Sequence, residues 1–203
     1  MAKASKQAVV RESIREQRRK KEQRTKMIRW GILAVIGLAV LGFLIYQGTR
    51  PVTAAEGEVV QVGRYDHVPE GSNSGPYPTD PPAGGLHYPL DYEPGFYEEA
   101  DIVNLPKNYE GYLVHNLEHG YVIFWYNCAA DPNFDCEGMK QTVRKIMDTA
   151  GTHELIAFPW PSQKEPLVLT SWGRILRLDR ADESLMREFI RLNLNKSPEP
   201  LMP

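Results

Sequence analysis

Only two of the 203 residues are cysteine, Cys128 and Cys136, which excludes a scaffold built on disulfides. The seven residues between them, AADPNFD, are turn-rich and easily closed. In an oxidising compartment the expected outcome is one local disulfide, with free thiols or soft-metal ligands as the alternatives. Three chemical signatures are missing as well. The chain has no phosphate-cradling glycine loop, no Gly-x-Ser-x-Gly nucleophile turn and no Cys-x-x-Cys-His haem attachment. These absences weaken nucleotide, serine-hydrolase and covalent-haem readings. No internal repeat is present.

Charge is scarce in one place and crowded beside it. Residues 30–46, WGILAVIGLAVLGFLIY, carry none, whereas residues 1–29 hold 11 Lys/Arg against 3 Glu. The remaining chain holds 13 Lys/Arg against 23 Asp/Glu, so the net charge of −2 hides two opposed regions. The uncharged run is at the short end of what a transmembrane helix needs, ~17–25 residues. Trp30 and Tyr46 bracket it where amphipathic rings favour the membrane interfaces. A cleavable signal peptide would have a shorter apolar region and a small-residue cleavage site; residues 52–55 are the nearest approach to one. An uncleaved signal anchor over residues 30–47 is therefore expected, a single pass through the cell membrane. The positive-inside tendency places residues 1–29 in the cytoplasm and everything after about Gln47 outside.

The leader has no aromatics interleaved among its basic residues, which argues against nucleic acid as a partner. Residues 11–29 instead suit a short helix on anionic lipid headgroups, where each basic residue contributes ~1 kcal/mol. A membrane-protein partner is the other expectation for an anchored domain.

Residues 48–57 read as a linker, residues 58–195 as one domain, and residues 196–203 as a flexible tail. The domain has about 150 residues at most, enough for one core. Candidate strands are residues 58–62, 121–126 and 154–158, with 167–178 forming two strands or one bent at Gly173. Residues 137–150 place Met139, Val143, Ile146, Met147 and Ala150 on one helical face, with Gly151 as the stop. A last helix spans residues 182–193, with acidic residues near its positive end. The expected fold is α+β or a small α/β sandwich. Residues 69–94 contain seven prolines, which rules out helix there. A long loop of this kind inside a compact domain is commonly functional.

Histidines flank that loop, His67 near its start and His87 near its end, and a closer pair, His115 and His119, precedes the apolar run at Tyr121. On a straight strand His115 and His119 would stand ~13 Å apart. That is too far for one ion, whose bonds to histidine nitrogen are ~2.0–2.1 Å. On a helical turn they approach to ~5–6 Å between Cβ atoms. A shared ion thus requires a helical turn or a tight hairpin at residues 114–120. Imidazole outside the cytoplasm points to copper or zinc as the cofactor. Glu118 is a ligand, a partner that fixes a histidine tautomer, or an exposed acid. His115-Asn116-Leu117-Glu118-His119 also fits the His-x-x-Glu-His zinc-peptidase pattern, with Glu118 then the catalytic base. The glycine after His119 and the following strand argue against the long helix such an enzyme needs.

The motifs DHVPEG, PPAGGLHYP, GFY, VHNLEHGYVIFWY and LTSWGR occur in that order. Over residues 65–178 the chain resembles the domain-of-unknown-function 3105 family of bacterial membrane-anchored proteins. The resemblance singles out His67, Pro81, Pro82, Gly85, His87, Gly95, Tyr97, His115, Glu118, His119, Gly120, Trp172 and Gly173. It places Gly84 where the family usually has serine, which argues against an essential hydroxyl there. The resemblance implies a shared site and no established activity.

The leading expectation is a membrane-anchored extracytoplasmic domain that binds metal through His67, His87, His115 and His119. Glu118 and Tyr97 would support the ligands, and Tyr97, Tyr112 and Trp125 would wall the site. Metal handling or membrane-complex assembly would follow. The alternatives are a zinc-dependent hydrolase and a structural or interaction subunit without chemistry.

Overall fold

The computed structural model describes residues 23, 26–33, 35–40, 42 and 54–200. The chain divides into two units, residues 1–51 and 52–203. In the first unit the described residues are helical and expose large apolar side chains such as Trp30, Ile36 and Leu38. Among the described residues no helix is long and apolar enough to cross a membrane. The expected span at 30–47 falls partly outside the described residues, as do nearly all of the basic leader and linker residues 48–53.

The second unit is a mixed α/β domain. Its strands are β1 (Glu58–Val59), β2 (Gly95–Phe96), β3 (Val122–Tyr126), β4 (Leu155–Pro159), β5 (Leu167–Ser171) and β6 (Arg174–Leu178). Its helices are α1 (Glu110–Glu118), α2 (Cys136–Thr149) and α3 (Glu183–Asn193). The strands form one sheet in the order β1-β6-β5-β3-β4-β2. β3 runs parallel to β4 and antiparallel to β5, and the β3–β4 connection passes through α2, as a parallel pair requires.

β3 is apolar throughout because both of its faces are covered. Side chains alternate across a strand. Val122, Phe124 and Tyr126 therefore join Met139, Val143 and Ile146 of α2 and Met186 and Phe189 of α3. Ile123 and Trp125 join Leu113 and Leu117 of α1 on the other face. The indole N–H of Trp125 donates to Thr170 Oγ1 at 2.7 Å, which satisfies its one polar atom in the core. The result is three layers, with α2 and α3 on one side and α1 with the proline-rich loop on the other.

Helices α2 and α3 begin as the sequence indicates. The side chains of Asp135 and Asp182 accept from the backbone N–H groups of Gly138 and Leu185, capping each first turn. The segment 167–178 is a hairpin whose two-residue turn is Trp172-Gly173. The first strand is shorter than the expected 58–62, and β2 was not foreseen. Cys128 and Cys136 are joined by a disulfide between the end of β3 and the start of α2. Part of the expected linker packs into the domain: Ala55 is buried, and the side chain of Asn193 donates to Glu56 O. Residues 196–200, expected as a flexible tail, contact α1, where the Glu199 N–H donates to Glu118 O.

α1 ends abruptly. The Gly120 N–H donates to Leu117 O and the Tyr121 N–H to Asn116 O, the paired bonds of a Schellman cap. Gly120 supplies the left-handed residue, with φ of +92°. A Cβ there would also lie 2.7 Å from Asn195 Cα. Gly71 has a similar φ of +78° but open space around it. Gly120→Ala should therefore lower the melting temperature more than Gly71→Ala does in a thermal melt. Backbone strain alone costs on the order of 1 kcal/mol, about 2–4 °C for a domain of this size. Equal shifts for the two variants would show that the Asn195 contact contributes nothing.

Candidate metal centre

Three separate segments meet: α1, the end of the proline-rich loop and the segment around His67. Ion-pair and ligand geometry at this point depends on how each is fastened. His115 and Glu118 lie one helical turn apart on α1, so both side chains leave the same face. His87 ends the proline-rich loop, which is tied down at several points. The Gly173 N–H donates to Ala83 O, and the Tyr88 N–H donates to Gly111 O. The fully buried Tyr88 ring lies where a Cβ on Gly111 would sit, 2.8 Å from it, so glycine at 111 lets the loop rest on the helix. His67 is drawn in by a parallel bridge to His87, with the Val68 N–H donating to His87 O at 2.8 Å.

The donor atoms converge. His67, His87, His115 and Glu118 each offer one ligand atom, and all four atoms lie within 4.8 Å of one another. Glu118 Oε2 is 2.8 Å from His87 Nε2, 3.4 Å from His67 Nε2 and 3.6 Å from His115 Nδ1. His67 Nε2 is 3.3 Å from His115 Nδ1. Donors ~2.0–2.1 Å from a tetrahedral ion stand about 3.3–3.4 Å apart, so the four atoms nearly outline such a site. A metal ion fits this group.

Burial sharpens the argument. Glu118 is 4% exposed and His87 is fully buried. The ion-pair partners of Glu118 are three histidines, and no lysine or arginine pairs with it among the described residues. A buried carboxylate without a fixed cation costs several kcal/mol. His115 is held neutral, its pKa pushed down to about 4 by burial and then by the neighbouring His119, His87 and His67. His87 Nδ1 faces Gly85 O at 2.7 Å, and a carbonyl only accepts, so that nitrogen carries the proton. The other nitrogen, Nε2, is the one turned on the Glu118 carboxylate oxygen, 2.8 Å away.

The expected site residues fall into two groups. His119 is not in the four-donor group, where Glu118 stands with the other three histidines. His119 instead stands with His115 and Asp91 in a second group. Tyr97 does not support the ligands: its hydroxyl donates to Glu93 O and its ring packs on Tyr92 and Phe158. Tyr112 packs on Tyr88 and Tyr92, and Trp125 is in the core. Among the described residues, the ring of Trp172 lies edge-on to His87 at 6.1 Å. Its place at the tip of the β5–β6 hairpin explains the late Trp-Gly pair. Asp91 escaped the sequence reading because nothing in its neighbourhood marks a ligand. It is positioned by Asn116, whose side-chain amide bonds both the N–H and the O of Tyr92. The glycine at 84 also has a reason in this chain: its φ is +136°, and a Cβ would lie 2.7 Å from Val62 Cγ1.

Neither a curated protein nor a solved structure matches this chain. One family model does, described as Protein of unknown function (DUF3105), and it covers residues 67–203, from the first of these histidines to the end of the chain. The chain belongs to that family.

Proposed function

We propose that this protein is a membrane-anchored extracytoplasmic domain that holds one divalent copper or zinc ion through His67, His87, His115 and Glu118. The observation that carries the reading is the meeting of three imidazole nitrogens and a buried carboxylate oxygen within 4.8 Å, with no lysine or arginine partner for the charge among the described residues. Three nitrogens and one oxygen, with no sulfur, suit zinc or Cu(II) better than Cu(I). Four protein donors leave no open position on a tetrahedral ion, which is the pattern of structural rather than catalytic zinc. Glu118 as an inner donor is also not free to activate water, and this favours metal holding over hydrolysis. The role in a membrane, in metal handling or complex assembly, is supported by the uncharged residues 30–46 behind a basic leader. The exposed apolar side chains on all sides of the described helix support it too.

Full-length protein, freed of metal and offered zinc or copper, should take up one ion per chain by elemental analysis after dialysis. His87→Ala and Glu118→Gln should lose that stoichiometric ion. A 100-fold excess of zinc over its Kd should stabilise the wild type by ~2.7 kcal/mol, a rise of several degrees in melting temperature absent from His87→Ala. Metal content near zero in the wild type would overturn the assignment. On cell fractionation the protein should stay with membranes after a carbonate wash, and release into the soluble fraction would remove the anchor.

A further inference from the structure

His119 lies beside the four-donor group without belonging to it, and its two ring nitrogens are both engaged. Nδ1 is 2.9 Å from Glu199 O, and Nε2 is 3.1 Å from His115 Nε2. The carbonyl of Glu199 can only accept, so Nδ1 of His119 carries the proton. In neutral His119 the Nε2 atom is then an acceptor. His115 Nε2 must donate to it, which puts the proton of His115 on that nitrogen. The other nitrogen of His115, Nδ1, is left with a free lone pair, and Nδ1 is the atom that faces His67, Glu118 and the inner group.

We infer that His119 is a positioning residue which, relayed from the Glu199 carbonyl, holds His115 in the tautomer that presents Nδ1 to the metal. The inference rests on the inner group being the metal site. It gives the expected tail a task. Residues near 199 are held to α1 by a second bond, the Glu199 N–H to Glu118 O, and Asn195 N–H donates to Gly120 O. A backbone carbonyl 80 residues away in sequence thereby selects which nitrogen of a ligand is available. The contrast with the inner group is chemical. Outside, every hydrogen bond closes with the protons at hand: His115 to His119, His119 to Glu199. Inside, His87 Nε2 and His115 Nδ1 both face Glu118 Oε2.

Metal titrations and imidazole nitrogen NMR on the full chain in detergent test this. In metal-free protein, His115 should show the Nε2–H tautomer, and His119→Ala should mix it with Nδ1–H. His119→Ala should weaken zinc binding 10- to 100-fold at an unchanged one ion per chain. His119→Gln, whose side-chain oxygen can accept from His115, should recover most of that loss. A wild-type His115 protonated on Nδ1 would overturn the relay, and so would unchanged affinity in His119→Ala. Two ions per chain, falling to one in His119→Ala, would also overturn it by making His119 and Asp91 ligands of a second ion. Should the wild type bind no metal, the metal assignment fails while the tautomer spectrum still decides the relay. If His119→Ala does not fold, the wild-type spectrum and His119→Gln carry the result.

Discussion

A single carboxylate, Glu118, sits almost wholly out of water against three imidazole rings, and the layer around α1 depends on how that charge is answered. No lysine or arginine answers it among the described residues, although the surface elsewhere supplies them freely. Glu188, for example, is met by Arg191. Surface pairs of that sort contribute ~0–1 kcal/mol, whereas an unanswered buried charge costs several. A divalent ion among His67, His87 and His115 removes that penalty and bonds the four converging donor atoms. The tightest part of the site is its buried floor, His87 and Glu118. Its exposed rim is His67, whose side chain is 45% accessible and marks the side from which an ion can enter.

The supporting structure is rigid where ligand placement needs it. α1 is short, yet its core face is locked by Leu113 and Leu117 against β3, and its end is fixed by a glycine cap. The proline-rich loop has no regular structure over most of its length, but it is no loose connection. Backbone bonds from Ala83, His87 and Tyr88 tie it to the hairpin tip, to the His67 segment and to α1. Prolines lower the conformational freedom that must be surrendered when such a loop is ordered. Their density is therefore consistent with a loop that delivers one ligand to a set position.

Much of the chemistry was legible along the chain, and particular residues show why. His115, Glu118 and His119 cluster within five residues, and the strand that follows is apolar enough to locate the core, so a reactive group beside a sheet could be read directly. The helical faces of residues 137–150 and 182–193 were legible for the same reason, since a 3.6-residue period survives in sequence. His119 misled because its four-residue spacing from His115 is as good as that of any ligand pair. It stands outside the inner group because His115 lies between them, turning Nδ1 toward Glu118 and Nε2 toward His119. Tyr97 and Trp125 misled because they pack among Leu113, Leu117 and Phe158 beneath α1, in the core that supports the site and not against its donor atoms.

By itself the sequence determined the types of most elements, though not of α1 or β2, the uncharged run behind a basic leader, and the residue types able to bind an ion. Those features are local: period, composition and charge act on neighbouring residues and need no fold to be seen. Only the tertiary structure decided which nitrogens face one another. That meeting requires two loops, a helix and the chain's last residues to converge, and the hydrogen bonds that set each ring's tautomer end on backbone carbonyls, Gly85 and Glu199, which carry no side-chain signature at all.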